Sequence, residues 1–298
     1  MGKSKGYMFA GISIFFWAST AALTTILLEG LDSIQIACIS ALFASLTLFV
    51  INVCTKKISI VWQYGITDYI RFFVVGFVGV FAYSFLLFTA LFYLPAQEAF
   101  IINYLWPIMI IIFAAILLKE KLTGKKVVAI VMSFVGIVIV VTRGNITKLD
   151  LSGPLGIVLA VLAAVSYGWF SVIVKKYEYD KTVSMMFYCI SGFIASFVTM
   201  CIVSYVPTLN MAQILGLGWI GILTMGIAFT TWALALKYGD THKIANLAFI
   251  TPFLSLVYIY FLLGEEISIY SVVGLVVIVL GIIIQNRDTK NTDTNQLP

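Results

Sequence analysis

Ten long apolar runs fill this chain almost from end to end, and no other feature limits its fold so strongly. They fall at approximately Tyr7 to Leu28, Ser33 to Val53, Tyr69 to Leu91, Ala96 to Leu118, Lys126 to Val141, Leu155 to Val174, Val183 to Tyr205, Ile214 to Leu236, Ile244 to Leu263 and Ser268 to Gln285. A run of about 18 or more apolar residues can cross a bilayer as a helix, because a helix pairs every backbone N–H and C=O within itself. The fifth run is a little short. Only 10% of the residues are charged and 62% are hydrophobic, whereas soluble domains carry roughly a quarter charged residues. The expected fold is therefore all-α and membrane-embedded, with ten transmembrane helices. Lys3 and Lys5 precede the first run as they would in a signal peptide. That run is too long and lacks a small-residue cleavage site, so it reads as a retained span.

The positive charges orient the chain. With the N-terminus inside, cytoplasmic ends and loops hold 16 of the 18 Lys and Arg residues, and only Arg143 and Lys148 fall outside. That split follows the positive-inside rule and predicts both termini in the cytoplasm. The net charge of +5 is thus a topology signal, with no nucleic-acid partner implied. Cys38, Cys54, Cys189 and Cys201 lie in or beside apolar runs without C-x-x-C spacing and read as packing residues. His242 is the only histidine, so no histidine metal cluster can form, and no cofactor is expected.

The chain also repeats itself. The stretch from Phe85 to Ile139 recurs from Thr230 to Ile284 at a fixed offset of 145 residues. Shared landmarks include Ala90-Leu91-x-Tyr93 with Ala235-Leu236-x-Tyr238, Pro107 with Pro252, and Leu117-Leu118-x-Glu120 with Leu262-Leu263-x-Glu265. Trp17-Ala18 matches Tyr167-Gly168 at an offset of 150. Five spans per half is an odd number, so the second half crosses in the opposite sense. The expected organisation is a first repeat over residues 1–148, an inverted second repeat over 149–287, and a disordered polar tail over 288–298. Two inverted copies around a substrate path are a transporter architecture. Glu120 and Glu265 stand at helix junctions, where an acidic residue favours the N-terminus of a following helix.

No Asp, Glu, Lys or Arg lies deep in a run, and charged groups there are costly enough to persist only for function. Glu98 follows Pro95 in the expected first turn of the fourth span, and on a continuous helix Glu98, Asn103 and Trp106 fall within an arc of about 140°. They are candidates to line one cavity, with Glu98 holding a substrate ammonium or a proton; a water-facing interfacial Glu98 is the alternative. Pro107 and Pro252 occupy matched positions, remove a backbone donor and predict paired kinks or hinges. Trp62, Tyr64, Tyr205 and Trp219 read as interfacial anchors. Trp17, Tyr83, Trp106, Tyr167, Trp169, Trp232 and Phe249 sit inside spans, and rings in such places suit a flat, apolar or cationic substrate. Packing or lipid contact is the alternative for each.

Two five-span halves, each with an apolar run, a proline, a second apolar run, Leu-Leu-x-Glu and a final span with small residues seven apart, resemble the EamA type of the drug/metabolite transporter superfamily. Within it, Glu98…Asn103-Tyr104-Leu105-Trp106-Pro107 and Gly226-Ile227-Ala228-Phe229-Thr230-Thr231-Trp232 resemble segments of bacterial aromatic amino-acid exporters. The Lys119-Glu120-Lys121 linker departs from those and looks like the generic superfamily form. The resemblance implies a ten-helix basket around a central cavity walled by spans one, three, four, six, eight and nine. It implies export of aromatic or other hydrophobic amino acids across the inner or plasma membrane. On this reading Glu98, Asn103, Trp106, Trp17, Tyr83, Trp169, Trp232 and Phe249 are the substrate-binding candidates. Export of another metabolite or a cationic drug is the alternative within the class. A membrane-embedded enzyme would need catalytic ionisable groups inside the spans, and a sensor would need a soluble domain; neither is visible, so no enzymatic activity is expected. The sequence leaves the oligomeric state open.

Overall fold

The computed structural model describes residues 2–119, 124–142, 154–238, 247 and 250–286. Glu120, His242, Phe249, Arg143, Lys148 and the tail beyond Asn286 lie outside these residues. All the regular structure among the described residues is helical. We number the helices α1 (Gly2–Leu28), α2 (Ser33–Cys54), α3 (Ile66–Ala90), α4 (Ala96–Asn103), α5 (Trp106–Leu117), α6 (Gly124–Thr142), α7 (Pro154–Lys176), α8 (Lys181–Val203), α9 (211–238), α10 (Ile250–Leu263) and α11 (Ile269–Asn286). Seven segments are long and apolar enough to cross a membrane, counting α4 and α5 as one. Ile130–Val140, Ile250–Leu263 and Ile269–Gly281 are shorter apolar helices, and they coincide with the fifth, ninth and tenth runs of the sequence.

Side-chain caps start several helices where the apolar runs begin. Asp32 accepts from Gln35 N–H while the Gln35 side chain accepts from Asp32 N–H, a reciprocal box at the start of α2. Asn210 and Gln213 do the same for α9. The Asp180 carboxylate takes the N–H groups of Thr182 and Val183 at the start of α8.

Two helices depart from α spacing at matched places. Phe77–Ala82 in α3 and Trp219–Ile227 in α9 are π-helical, and the 145-residue offset carries 77–82 onto 222–227. Such widened turns are rare and reorient the side chains that follow them. Hydropathy carries no signal for them, and the sequence reading did not include them.

Helices pair across the two halves of the sequence. α2 packs on α8 and α6 on α11; α1 packs on α9 and α10, while α7 packs on α3, α4 and α5. The α6–α11 pair is close because a Cβ on Gly136 would stand 2.6 Å from Gly274 O. The α3–α8 contact is equally tight, with a Cβ on Gly76 falling 2.5 Å from Tyr188 O.

The α2–α8 pair is antiparallel and tied at both ends. At one end Lys57 Nζ meets Asp180 at 2.8 Å. There Tyr179 OH donates to Asp68 (2.6 Å), Arg71 bonds Asp68 and Tyr179, and the Arg71 guanidinium lies 4.1 Å over the Tyr177 ring. At the other end Gln35 donates to Tyr205 O (3.0 Å), and Ser204 bonds Asp32. Burial opposes charge on Asp180, but the Lys57 ammonium and the Val183 and Thr182 N–H groups outweigh it and hold the carboxyl below its ordinary range.

Cys38 and Cys189 are buried, Cys54 and Cys201 exposed, and all four are free thiols. Of the residues expected as interfacial anchors, Trp62 is 89% and Tyr205 68% exposed, and Tyr64 is half-buried. Trp219 is half-buried and tied into the helix packing. It opens the π-helical stretch of α9, its indole N–H donates to Ser19 Oγ (2.9 Å), and its ring meets Phe16 edge-on. Its short polar partner lies on α1, which the local sequence around Trp219 could not disclose.

Candidate functional site

The fourth apolar run is interrupted. α4 ends at Asn103, and Leu105 N–H and Ile108 N–H bond three residues back, to Ile102 O (3.0 Å) and Leu105 O (2.9 Å). Pro107 opens α5 and has no N–H to return to Asn103, so the chain tightens instead of continuing. The expected arc of Glu98, Asn103 and Trp106 on one continuous helix therefore does not apply. Trp106 opens a second helical segment, reached through the tightened turn at Tyr104 and Leu105.

That break brings one group of predicted residues together. Asn103 Nδ2 donates to Tyr83 OH (3.3 Å), and the Tyr83 ring lies 4.8 Å from Tyr167. Trp106 meets Tyr167 edge-on at 5.4 Å. Tyr83 directly follows the π-helical stretch of α3, so local backbone geometry aims both Tyr83 and Trp106 at α7. Asn103 is 4% exposed, and its Oδ1 has no hydrogen-bond partner among the described residues.

A second group forms on the opposite pairing. Trp17 of α1 lies 5.3 Å from Trp232 and 5.8 Å from Phe229 of α9. Its indole N–H donates to Thr224 O (3.0 Å), next to Leu223 O, which accepts from Ala228 N–H with π spacing. A return from π to α spacing passes over one carbonyl, and the Trp17 indole meets a carbonyl at that junction. Beside it, Ser13 Oγ lies 2.7 Å from Thr231 Oγ1. The two groups are counterparts: Trp17 and Tyr167 match in the sequence, and each reaches the π-interrupted helix of the other half.

Other predicted residues stand apart. Trp169 is half-buried against the cluster of Phe72, Phe170 and Tyr188, and no ring contact joins it to either group among the described residues. Pro252 is buried near the described start of α10. Phe249 lies outside the described residues. Glu98 is half-exposed in the first turn of α4.

The end of α4 beside Glu98 is held by the other half of the chain. Glu265 Oε1 accepts from Ala96 N–H at 3.2 Å. Gln97 donates to Glu266 O (3.1 Å) and accepts from Ser268 N–H (3.3 Å). Glu265 thus serves the N-terminus of a distant helix, and not the helix that follows it. Tertiary contact decided this, because 169 residues separate the partners. Gln97, Ser13 and Thr231 were missed as contact residues for the same reason.

Among the described residues no group of three or more His, Cys, Asp or Glu could hold a metal ion. Two apolar grooves, of about 330 and 360 Å³, lie on the exposed surface between α2 and α9 around Phe43, away from the aromatic groups.

Comparison with known proteins agrees with this architecture. The protein superimposes on a crystal structure with a TM-score of 0.71 at 22% identity, covering 97% of this chain and 99% of the other, which establishes a shared fold. The aromatic amino acid exporter YddG of Ancylobacter novellus is 29% identical over 184 residues, 60% of this chain and 63% of its own length. An uncharacterized transporter of Clostridium kluyveri is 26% identical over 97% of this chain and 95% of its own. The sequence profile of the EamA-like transporter family matches residues 4–142 and 154–287. This is a multi-pass membrane transporter and not an enzyme: the chain belongs to the EamA-like transporter family.

Proposed function

We propose that the protein exports small amphipathic metabolites, aromatic or hydrophobic amino acids above all, by alternating access. The observation that carries the reading is the reciprocal placement of the two aromatic groups. Tyr83, Asn103, Trp106 and Tyr167 make one group and Trp17, Phe229 and Trp232 the other, and in this reading they wall the substrate path. Aromatic faces accept flat rings and attract cations, and Asn103 offers an acceptor at the polar end. Phe249 and Trp169 extend the walls in this reading, and Glu98 draws the substrate ammonium toward the site. The resemblance to YddG points to the same substrate class.

The working fold is two inverted five-helix repeats, residues 1–148 and 149–287, ten helices in all. The reciprocal pairing of α1 with α9 and α10, and of α7 with α3, α4 and α5, supports it. Rocking of one repeat against the other opens the site to alternate sides, with Pro107 and Pro252 as matched hinges. The protein sits in the inner or plasma membrane with both termini cytoplasmic, as the loop lysines require.

A second reading is transport of another metabolite or a cationic drug, favoured by the number of ring faces around a site with neutral polar groups. Flux of a panel of amino acids and cationic dyes in proteoliposomes, with and without a pH gradient, separates the two. Amino-acid flux that falls in Trp106→Ala and Glu98→Gln supports the first. Dye flux alone, untouched by either substitution, sinks it.

A further inference from the structure

Three deeply buried acceptors, one on α4 and two on α10, remain without partners among the described residues. Asn103 Oδ1, Thr251 Oγ1 and Ser255 Oγ have no hydrogen-bond partner among the described residues, and their side chains belong to residues only 4%, 6% and 4% exposed. A buried polar group left unpaired costs about 1–3 kcal/mol, so its persistence calls for an occupant.

The usual local remedy is available and unused. Elsewhere in these helices Ser45, Thr47, Thr89, Thr224 and Thr230 return their hydroxyls to the carbonyl one turn earlier, at 2.6 to 3.0 Å. Ser255 has Thr251 O at the same spacing and does not use it. Ser40, Asn52 and Ser196 also hold unpartnered atoms but belong to α2 and α8, which form the scaffold pair; Thr24 lies on α1, and Glu265 Oε2 belongs to the carboxylate that caps α4. Position separates Thr251 and Ser255 from them.

Phe100 of α4 and Ile259 of α10 share one packed cluster, with Tyr83 against it. The two helices run in opposite directions there, because Ala96 at the start of α4 meets Glu265 just past the end of α10. Asn103 lies one turn beyond Phe100. Ser255 lies one turn before Ile259, and Thr251 one turn further. The two helices pack on each other, so all three lie on the same side of that shared cluster along a pair of antiparallel neighbours.

We propose that Asn103 Oδ1, Thr251 Oγ1 and Ser255 Oγ together seat a primary ammonium group of the transported molecule. The inference rests on the exporter reading above and names the part of the substrate that the second half of the chain reads. A primary ammonium has three N–H donors and no acceptor, and three neutral oxygens match it in number. The Asn103 amide N–H is already given to Tyr83, which leaves its oxygen as the free end. The rings of Tyr83 and Trp106 add attraction for a cation. Neutral acceptors hold the charge more weakly than a carboxylate would, and a transporter has to release what it binds.

The test uses the full-length protein in proteoliposomes. Phenethylamine, which has the amine but no carboxylate, competes with phenylalanine flux, as does 3-phenylpropionate, which has the reverse. Ser255→Ala and Thr251→Val weaken phenethylamine by about tenfold each and leave 3-phenylpropionate unchanged; equal shifts for both competitors overturn the proposal. A readout independent of amino-acid flux uses Ser255→Cys in a background without the four native cysteines. The cationic reagent methanethiosulfonate ethylammonium labels it at least tenfold faster than the anionic sulfonatoethyl reagent, and Ser40→Cys shows no such preference. No labelling, or no charge preference, overturns the ammonium seat. Labelling with the cationic preference, in a protein that moves no amino acid, upholds the seat and overturns the exporter reading alone.

Discussion

The α6–α11 seam and the α4–α10 junction are both contacts between the two halves of the chain, and they are built in opposite ways. At the seam Gly136 and Gly274 let two backbones approach so closely that a methyl group would not fit. At the junction Asn103, Thr251 and Ser255 keep polar atoms unpaired in an apolar surround. Close backbone packing has one good arrangement and resists motion. Unpaired acceptors at a helix break are costly to stability and useful only if something binds there. The difference separates scaffold from site.

The sharpest way to break that comparison is to overfill the seam. Gly136→Leu places carbon within 2.6 Å of Gly274 O and Ile278, and is expected to lose about 1–3 kcal/mol. A thermal melt in detergent should fall by several degrees while the KM of the folded fraction holds. A melt equal to that of the native protein would show that the seam is loose. The reverse signature is expected at the junction. Asn103→Ala should cut flux about tenfold, since an interaction near 1.4 kcal/mol is a factor of ten. Its melt should move little, because the substitution removes an unpaired acceptor together with one long hydrogen bond.

Glu265→Ala tests whether the cap on α4 belongs to the site or the scaffold. Loss of a helix cap is worth about 1 kcal/mol, and hydrogen exchange at Ala96 to Phe100 should quicken before any global unfolding. Unchanged exchange would place the cap among the dispensable contacts. The smallest effect is expected at the Lys57 and Asp180 pair. Both side chains are partly exposed, so Asp180→Asn should cost only about 0.2–1 kcal/mol. The Asp180 pKa is depressed in the fold, so its contribution is fully present above the ordinary carboxylate range and is lost as pH falls through the folded value. Melts of the native protein and of Asp180→Asn should therefore converge in acid and separate near neutrality.

Much of this division is legible along the chain. The apolar runs locate the helices because hydrocarbon tolerates no unpaired backbone, and Pro107 marks the break because a missing N–H acts locally. Glu98, Asn103 and Trp106 could be grouped on one arc and Tyr83 named among the in-span rings; in the fold Asn103, Tyr83 and Trp106 are linked through Tyr167 and Glu98 stands apart. Their meeting depends on two things outside the pattern: the widened turn before Tyr83 and the tightened turn before α5. Trp169 shows the converse. It is an in-span tryptophan like Trp106, yet it packs on the Phe72, Phe170 and Tyr188 cluster, which Tyr167 also touches, and among the described residues no ring contact carries it to Trp106 or Tyr83.

The sequence by itself determined that this chain is helical, membrane-embedded and duplicated, and it supplied the aromatic and amide groups of the candidate site. These follow from composition, run length and repetition, which act residue by residue. Only the tertiary structure decided which groups meet. It gave the Trp17 indole a carbonyl on α9, gave Glu265 an N-terminus 169 residues away, and left Thr251 and Ser255 unpaired near Asn103. The physical reason is that hydrogen bonds and ring contacts are short-ranged. Partners in different halves are chosen by how helices pack, and helix packing is a property of the whole fold.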